Sequence, residues 1–301
     1  MDSSLFFRLI EEKDIEYRKN ECMAEHTTFK IGGNADLFLM PETAEEISYI
    51  IKKSEETKTP LFAMGKGSNI LVSDKGIKGA VLSLERLNFI QREEHRIICG
   101  AGASLSAVCV FARDNGLSGL EFAYGIPGSV GGGLFMNAGA YGGEMSDVVK
   151  GAYCIDRMGN EIYIDVKDMD LSYRHSIFKG SSLVITKIVF ELIKGKYEEI
   201  NGKMQELLLR RKTKQPLDYP SAGSTFKRPK GNFAGTLIEK NGLKGKTVGG
   251  AMVSEKHAGF VINYKNASSQ DVLRLIEEIK TAVYEGDGVM LEPEVIFVGR
   301  R

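Results

Sequence analysis

The stretch from Gly125 to Gly143 reads GIPGSVGGGLFMNAGAYGG and holds eight glycines in nineteen residues. Ile126, Val130, Leu134, Phe135, Met136 and Tyr141 are interleaved with those glycines, which is not the composition of a flexible linker. A glycine lacks Cβ and takes positive φ freely. Such a density between apolar anchors therefore predicts an ordered segment that other backbone or a ligand approaches closely. A shorter glycine turn, GKGSN at Gly65–Asn69, joins the apolar runs Leu61–Met64 and Ile70–Val72. Turns of this kind aim backbone N–H groups at phosphate, and Ser68 and Asn69 can add side-chain hydrogen bonds. Alone, GKGSN reads as an ordinary tight turn. Two glycine-dense loops in one region favour a pyrophosphate cradle.

Outward from these loops the chain mixes both kinds of regular element. Residues 1–25 read as a polar helix outside the main core. Asn34–Met40 is rich in β-formers and ends at Pro41. Thr43 and Glu46 form a capping box ahead of Ile47, Ile50 and Ile51 on one helical face. Strands are expected at Leu61–Met64, Ile70–Val72, Ala80–Leu84 and Arg96–Cys99. Ser104 opens a helix with Leu105, Val108, Cys109 and Ala112 inward and Gly116 at its end. A hairpin turns at Met158–Asn160, and a β-branched strand runs through Leu183–Phe190. Lys194–Lys196 marks a boundary between residues 1–194 and 195–301. Beyond it come a helix through Arg211, a turn-rich loop (QPLDYPSAGSTFKRPKG), and strands at Ala251–Val253 and Gly259–Ile262. A helix with Val272, Leu275, Ile276, Ile279 and Val283 on one face and a last strand over Val289–Val298 complete the chain. The fold class is α+β in two parts.

Composition narrows the function. Lys+Arg and Asp+Glu each total 40 in 301 residues, so the formal net charge is zero. No long-range field attracts nucleic acid or an anionic membrane, and phosphate binding has to be local. No apolar run reaches the length of a membrane span. The start, MDSSLFFRLIEEKDIEYRKN, carries acids within its apolar stretch and is unlike a secretory signal, so a cytoplasmic protein is expected. Cys22, Cys99, Cys109 and Cys154 form no CxxC pair and no ligand cluster with the four histidines, so no metal is expected. GKGSNI and GAGASL lack the third glycine of a dinucleotide fingerprint. The GKT at Gly245–Thr247 has Lys240 where a P-loop needs glycine. If a dinucleotide is held, it is held another way.

In order along the chain, GKGSNILV, GIPGSVGGGLFMNAGAYGGE, LSYRHSIFK, SAGSTFKRP, VSEKHAGFVIN and LEPEV resemble the UDP-N-acetylenolpyruvoylglucosamine reductase family. The likeness runs from His26 to Val298. The uninterrupted stretch Tyr153–Leu192 is similar to the shorter of the family's two types. The resemblance implies a two-part FAD-binding domain of the vanillyl-alcohol oxidase type and a smaller α+β substrate domain. It implies non-covalent FAD, NADPH as hydride donor and an enolpyruvyl ether of a UDP-sugar as substrate. Cofactor contacts are implied at Gly65, Gly67, Ser68, Asn69, Ile126, Pro127, Gly128, Ser129, Gly132, Asn137, Ala138 and Gly139. Lys66 stands where a small residue is common, and Arg228 where family members often carry Asn.

Reduction of such an ether needs a cationic clamp, a charge-orienting partner and a proton donor. Arg174 of LSYRHSIFK matches the family's arginine, whose planar fork suits a developing enediolate. Ser224, the second serine of SAGS, matches the proton donor, and Glu294 of LEPEV the third member. The motif decides between Glu294 and Glu292. In an extended loop Thr225 would face away from Ser224. Eight basic residues against Glu206 and Asp218 lie between Lys203 and Lys230. Of these Lys214, Lys227 and Arg228 flank SAGS and suit a UDP-sugar, with Tyr173 lining the pocket. His26, His175 and His257 read as structural. Two other readings stand beside this one: another FAD oxidoreductase of the same superfamily, and a non-catalytic UDP-sugar-binding module.

Overall fold

The computed structural model describes residues 3–300. Among them are seven α-helices: α1 (Ser3–Glu12), α2 (Ala44–Thr57), α3 (Leu105–Asp114), α4 (Val130–Phe135), α5 (Tyr197–Lys214), α6 (Ala234–Lys240) and α7 (Ser269–Asp287). With the sheets below they bear out the α+β class. No helix of the described residues is long and apolar enough to cross a membrane.

The chain divides into two compact units, and not at the expected Lys194–Lys196. Among the described residues the first comprises 3–18, 37–66 and 79–211, the second 19–36, 67–78 and 212–300. Helix α5 begins at Tyr197, just after Lys194–Lys196, and the change of unit falls near its C-terminal end, between Arg211 and Lys212. Two early segments also belong with the C-terminal part, and local composition carries no trace of that.

In the first unit, Leu61–Met64 runs parallel to Ile77–Ser83, Leu61 facing Ala80. A five-stranded antiparallel sheet follows in the order Glu161–Asp165, Val149–Ile155, Val184–Glu191, Arg96–Gly100, Ile90–Glu93. Helices α2 and α3 bury the expected faces: Ile47, Ile50 and Ile51 in one, Leu105, Val108, Cys109 and Ala112 in the other. Thr43 Oγ1 accepts from Glu46 N at 3.1 Å, but Glu46 returns its carboxylate to Glu42 N, so the capping box is only half formed. Of the expected polar helix over 1–25, residues 1 and 2 lie outside the described residues, and the rest is not one polar helix. Helix α1 puts Phe6 and Ile10 into the core with Ile15, and Tyr17–Cys22 is a strand at a sheet edge. An edge strand shows much of its side-chain surface to water, which makes YRKNEC read as polar.

The second unit has its own core. Val272, Leu275, Ile276, Ile279 and Val283 of α7 are all buried there with Leu237, Ile238 and Val253. Each such side chain contributes about 1.5–3 kcal/mol by leaving water. Ser268 and Asp271 box the N-terminus of α7, and Asp74 accepts from Ser269 N and Ser269 Oγ, both at 2.8 Å. Three antiparallel strands, Thr247–Val248, Ala251–Val253 and Val261–Asn263, form its sheet. The expected strand over Val289–Val298 shrinks to Ile296–Val298, paired in parallel with Ile70–Val72. Pro293 has no N–H to donate to a ladder, and residues before it run as a loop.

Candidate functional site

In the first unit the two glycine segments touch. A Cβ on Gly65 would lie 2.0 Å from Ser129 Oγ, so only glycine lets the GKGSN turn sit against the GIPGS loop. Ser129 is buried and caps the short helix α4, accepting from Gly132 N at 3.3 Å, while Gly132 faces solvent. Gly125, Tyr141 and Arg211 lie together. The Arg211 guanidinium sits 5.5 Å from the Tyr141 ring centre, and its Nε is 3.4 Å from where a Gly125 Cβ would be. Burial pulls the Arg211 pKa down, an energetic cost that a neighbouring anion offsets. Bare backbone at Gly65 and Gly132, and a buried cation at Arg211 beside Gly125, suit an elongated anionic cofactor such as FAD.

Sequence reading counted Arg211 among the basic residues but gave it no role. Its signal was present: Ile200, Met204, Leu207 and Arg211 recur at helical spacing and are the buried positions of α5. Asn137, expected at the cofactor, spends its amide on protein partners. Its Oδ1 accepts from Ser146 N at 2.9 Å and its Nδ2 donates to the Ser172 carbonyl at 3.2 Å.

That second bond anchors the arginine turn. Ser172 and His175 exchange backbone hydrogen bonds of 3.2 and 3.0 Å, leaving Tyr173 and Arg174 at the tip. Ser176 Oγ donates to the Phe135 carbonyl at 2.7 Å and fixes the far side. Arg174 has φ of 55°, a left-handed conformation that costs a non-glycine residue about 1–2 kcal/mol. Its guanidinium lies 5.1 Å from the Tyr173 ring centre, and Tyr173 is exposed.

The second unit holds Ser224 and Glu294. Gly223 has φ of 77°, a turn that glycine takes without strain. After it Ser224 is exposed and Thr225 only 2% exposed, the opposite faces expected of an extended loop. Phe226 bridges Pro293 in antiparallel fashion, with Lys227 N donating to the Glu292 carbonyl at 2.9 Å and Glu294 N to the Thr225 carbonyl at 2.8 Å. The register separates the two acids. The Glu292 carboxylate pairs with Lys227 and is exposed, while Glu294 is half-buried beside the serine loop. Asn69 Nδ2 reaches the Glu294 carbonyl at 3.4 Å, and Ile296 N donates to the Asn69 carbonyl at 3.0 Å. Lys214 and Arg228 are exposed, Arg228 over the Phe233 ring at 4.5 Å.

The histidines have local partners. His26 Nε2 meets Glu21 at 2.8 Å, His175 Nε2 meets Asp170 at 3.1 Å, and His257 Nδ1 accepts from Gly259 N at 3.1 Å. Burial lowers the His257 pKa, and Lys244 and Lys214 push the same way. No group of His, Cys, Asp and Glu among the described residues could hold a metal ion. Cys99, Cys109 and Cys154 are buried free thiols; burial raises all three, Cys154 to about 12.

Comparison with known proteins gives the family. A family model described as an FAD binding domain matches residues 35–164. One described as the C-terminal domain of UDP-N-acetylenolpyruvoylglucosamine reductase matches residues 215–298. The chain is 50% identical over 282 residues to a UDP-N-acetylenolpyruvoylglucosamine reductase of Caldanaerobacter subterraneus subsp. tengcongensis, covering 94% of this chain and 93% of the relative. To the protein of that name from Clostridium novyi it is 49% identical, covering 94% and 92%. The crystal structure of UDP-N-acetylenolpyruvylglucosamine reductase (MurB) from Thermus caldophilus superposes with a TM-score of 0.80 at 34% identity, over 94% of this chain and 98% of that one. The chain therefore belongs to the UDP-N-acetylenolpyruvoylglucosamine reductase family and is an FAD-dependent oxidoreductase.

Proposed function

We propose that this protein reduces UDP-N-acetylglucosamine enolpyruvate to UDP-N-acetylmuramate with NADPH as electron source, a step of peptidoglycan precursor synthesis in the cytoplasm. The observation that carries the reading is the register of the second unit. It ties the segment bearing exposed Ser224 to the segment bearing Glu294 and leaves Glu292 to Lys227. Bound non-covalently, FAD supplies hydride transfer. Gly65, Ser129 and Gly132, with Gly67, Ser68, Asn69, Ile126, Pro127, Gly128, Ala138 and Gly139, would hold it, and Arg211 would offset its charge.

The chain's own groups do the rest. Arg174 presents a two-pronged donor to the substrate carboxylate, where negative charge builds as the terminal carbon is reduced. Ser224 delivers a proton to the adjacent carbon, and Glu294 orients that charge. Lys214, Lys227, Arg228 and Tyr173 are assigned to the UDP-sugar.

The test is oxidation of NADPH by purified protein. It should be yellow, carry one FAD per chain released by heat or acid, and consume NADPH only when the enolpyruvyl nucleotide is present. Consumption independent of that nucleotide returns the protein to a general FAD oxidoreductase. A colourless preparation that still binds UDP-sugar returns it to a binding module.

A further inference from the structure

Thr225 sits next to the proposed proton donor, and every polar group of its backbone and side chain is engaged. Its N–H donates to the Gly259 carbonyl at 2.8 Å. Its carbonyl accepts from Glu294 N at 2.8 Å. Its Oγ1 accepts from Val261 N at 2.9 Å. The residue is 2% exposed, so these bonds form away from water. From the geometry we infer that Thr225 is a positioning residue: it locks the Ser224 peptide and the Glu294 backbone to one strand, so that the hydroxyl and the carboxylate keep a fixed separation. This rests on the function proposed above and assigns a part of its machinery.

The argument turns on which bonds need threonine. The two backbone bonds are open to any residue. Only the bond to Val261 N belongs to the side chain, and Val261 lies in the strand Val261–Asn263, paired with Val253. The Thr225 N–H shares its peptide plane with the Ser224 carbonyl and Cα, so fixing that plane fixes the Ser224 Cα and leaves ψ of Ser224 as the torsion that turns its Cα–Cβ bond. Gly223, at positive φ just before, brings no side chain to hold the loop on that side, and nothing lies within 4 Å of where its Cβ would be. Threonine supplies the restraint from the other. The accepting carbonyl of Gly259 is itself steadied, because Gly259 N donates to His257 Nδ1 at 3.1 Å and the His257 N–H to Ser254 Oγ at 3.2 Å. An acid misplaced by about 1 Å loses up to ~10²-fold in rate without touching the chemistry of the acid itself.

The experiment uses the FAD-loaded enzyme and follows its two half-reactions separately by stopped flow. Thr225→Val keeps the shape and removes the acceptor. It should leave reduction of the flavin by NADPH within about twofold and slow reoxidation by the enolpyruvyl nucleotide by ~10–100-fold. Thr225→Ser restores the oxygen and should recover reoxidation to within about threefold. Adding Ser224→Ala to Thr225→Val should cost no more than Ser224→Ala alone, because the threonine acts through the serine. If Thr225→Val is not recovered folded, Thr225→Ala, which leaves room for a water to take the vacant bond, carries the same comparison. Slowing of both half-reactions together, full independence of the two substitutions, or failure of Thr225→Ser to rescue overturns the assignment. So does a wild-type reoxidation rate in the variant. An unsubstituted protein that never oxidises NADPH on this substrate refutes the function itself, a separate outcome.

Discussion

The two glycine segments of the first unit and the serine loop of the second reach order by opposite means. At Gly65 the chain has removed a side chain, so that another loop can come within contact of bare backbone. At Thr225 it has kept one, and a single oxygen holds the loop to a strand. The first arrangement is the one proposed above to hold the cofactor, and added volume damages it. The second presents one exposed hydroxyl, and a lost hydrogen bond damages it. Cofactor retention and proton delivery should therefore fail independently.

The largest effect expected is on the cationic turn of the first unit. Arg174→Lys keeps the charge and loses the fork, and turnover should fall ~10²–10³-fold, the scale of one oxyanion donor. Steady-state kcat measures it, and near-normal turnover would leave Arg174 a structural residue of its turn. Next comes Ser224→Ala, which should slow substrate-dependent flavin reoxidation by at least ~10²-fold, about 3 kcal/mol, with NADPH still bleaching the flavin at the native rate. Equal slowing of both steps would break the contrast, because it would place Ser224 in the flavin site.

A smaller change should follow Gly65→Ala. Its Cβ would be driven against the buried Ser129 hydroxyl, costing about 1–3 kcal/mol as overpacking does, and the purified protein should hold less than one FAD per chain. Full loading at an unchanged Tm would show that the loops part without cost. The smallest effect is a pH dependence of stability. Burial holds the folded-state pKa of His257 below its ordinary value of 6.5, so the unfolded chain binds the proton more readily. Its contribution is complete above about pH 6.5 and is lost as pH falls toward the folded pKa. His257→Gln should flatten that part of the curve of Tm against pH; an identical curve would remove His257 from the account.

Much of this was legible in the sequence, for identifiable reasons. Glycine density, the apolar periodicity of α2, α3 and α7, and the alternation at Ser224–Thr225 are local patterns, and the structure keeps them. Tyr17–Cys22 was misread because an edge strand looks polar one residue at a time. No local pattern marks the two compact units, because residues 19–36 and 67–78 join a body assembled mostly from residues after Arg211. The choice of Glu294 over Glu292 gained a physical ground only from the Lys227 pair and the Phe226–Pro293 bridge. Such pairings depend on register between distant segments, and no spacing in the sequence encodes them.

The strand Ile70–Val72 has all three residues buried, and its parallel partner is Ile296–Val298. Asn69 and Glu294, which flank this pair, are 225 positions apart. A ribosome adding about 5–20 residues per second delivers the second strand roughly 10–45 s after the first. Through that interval three apolar residues wait beside the glycine turn without their partner, while the five-stranded sheet of the first unit can already close. The second unit is thus completed late in synthesis, and its early segments are the part of the nascent chain that most needs protection from other chains.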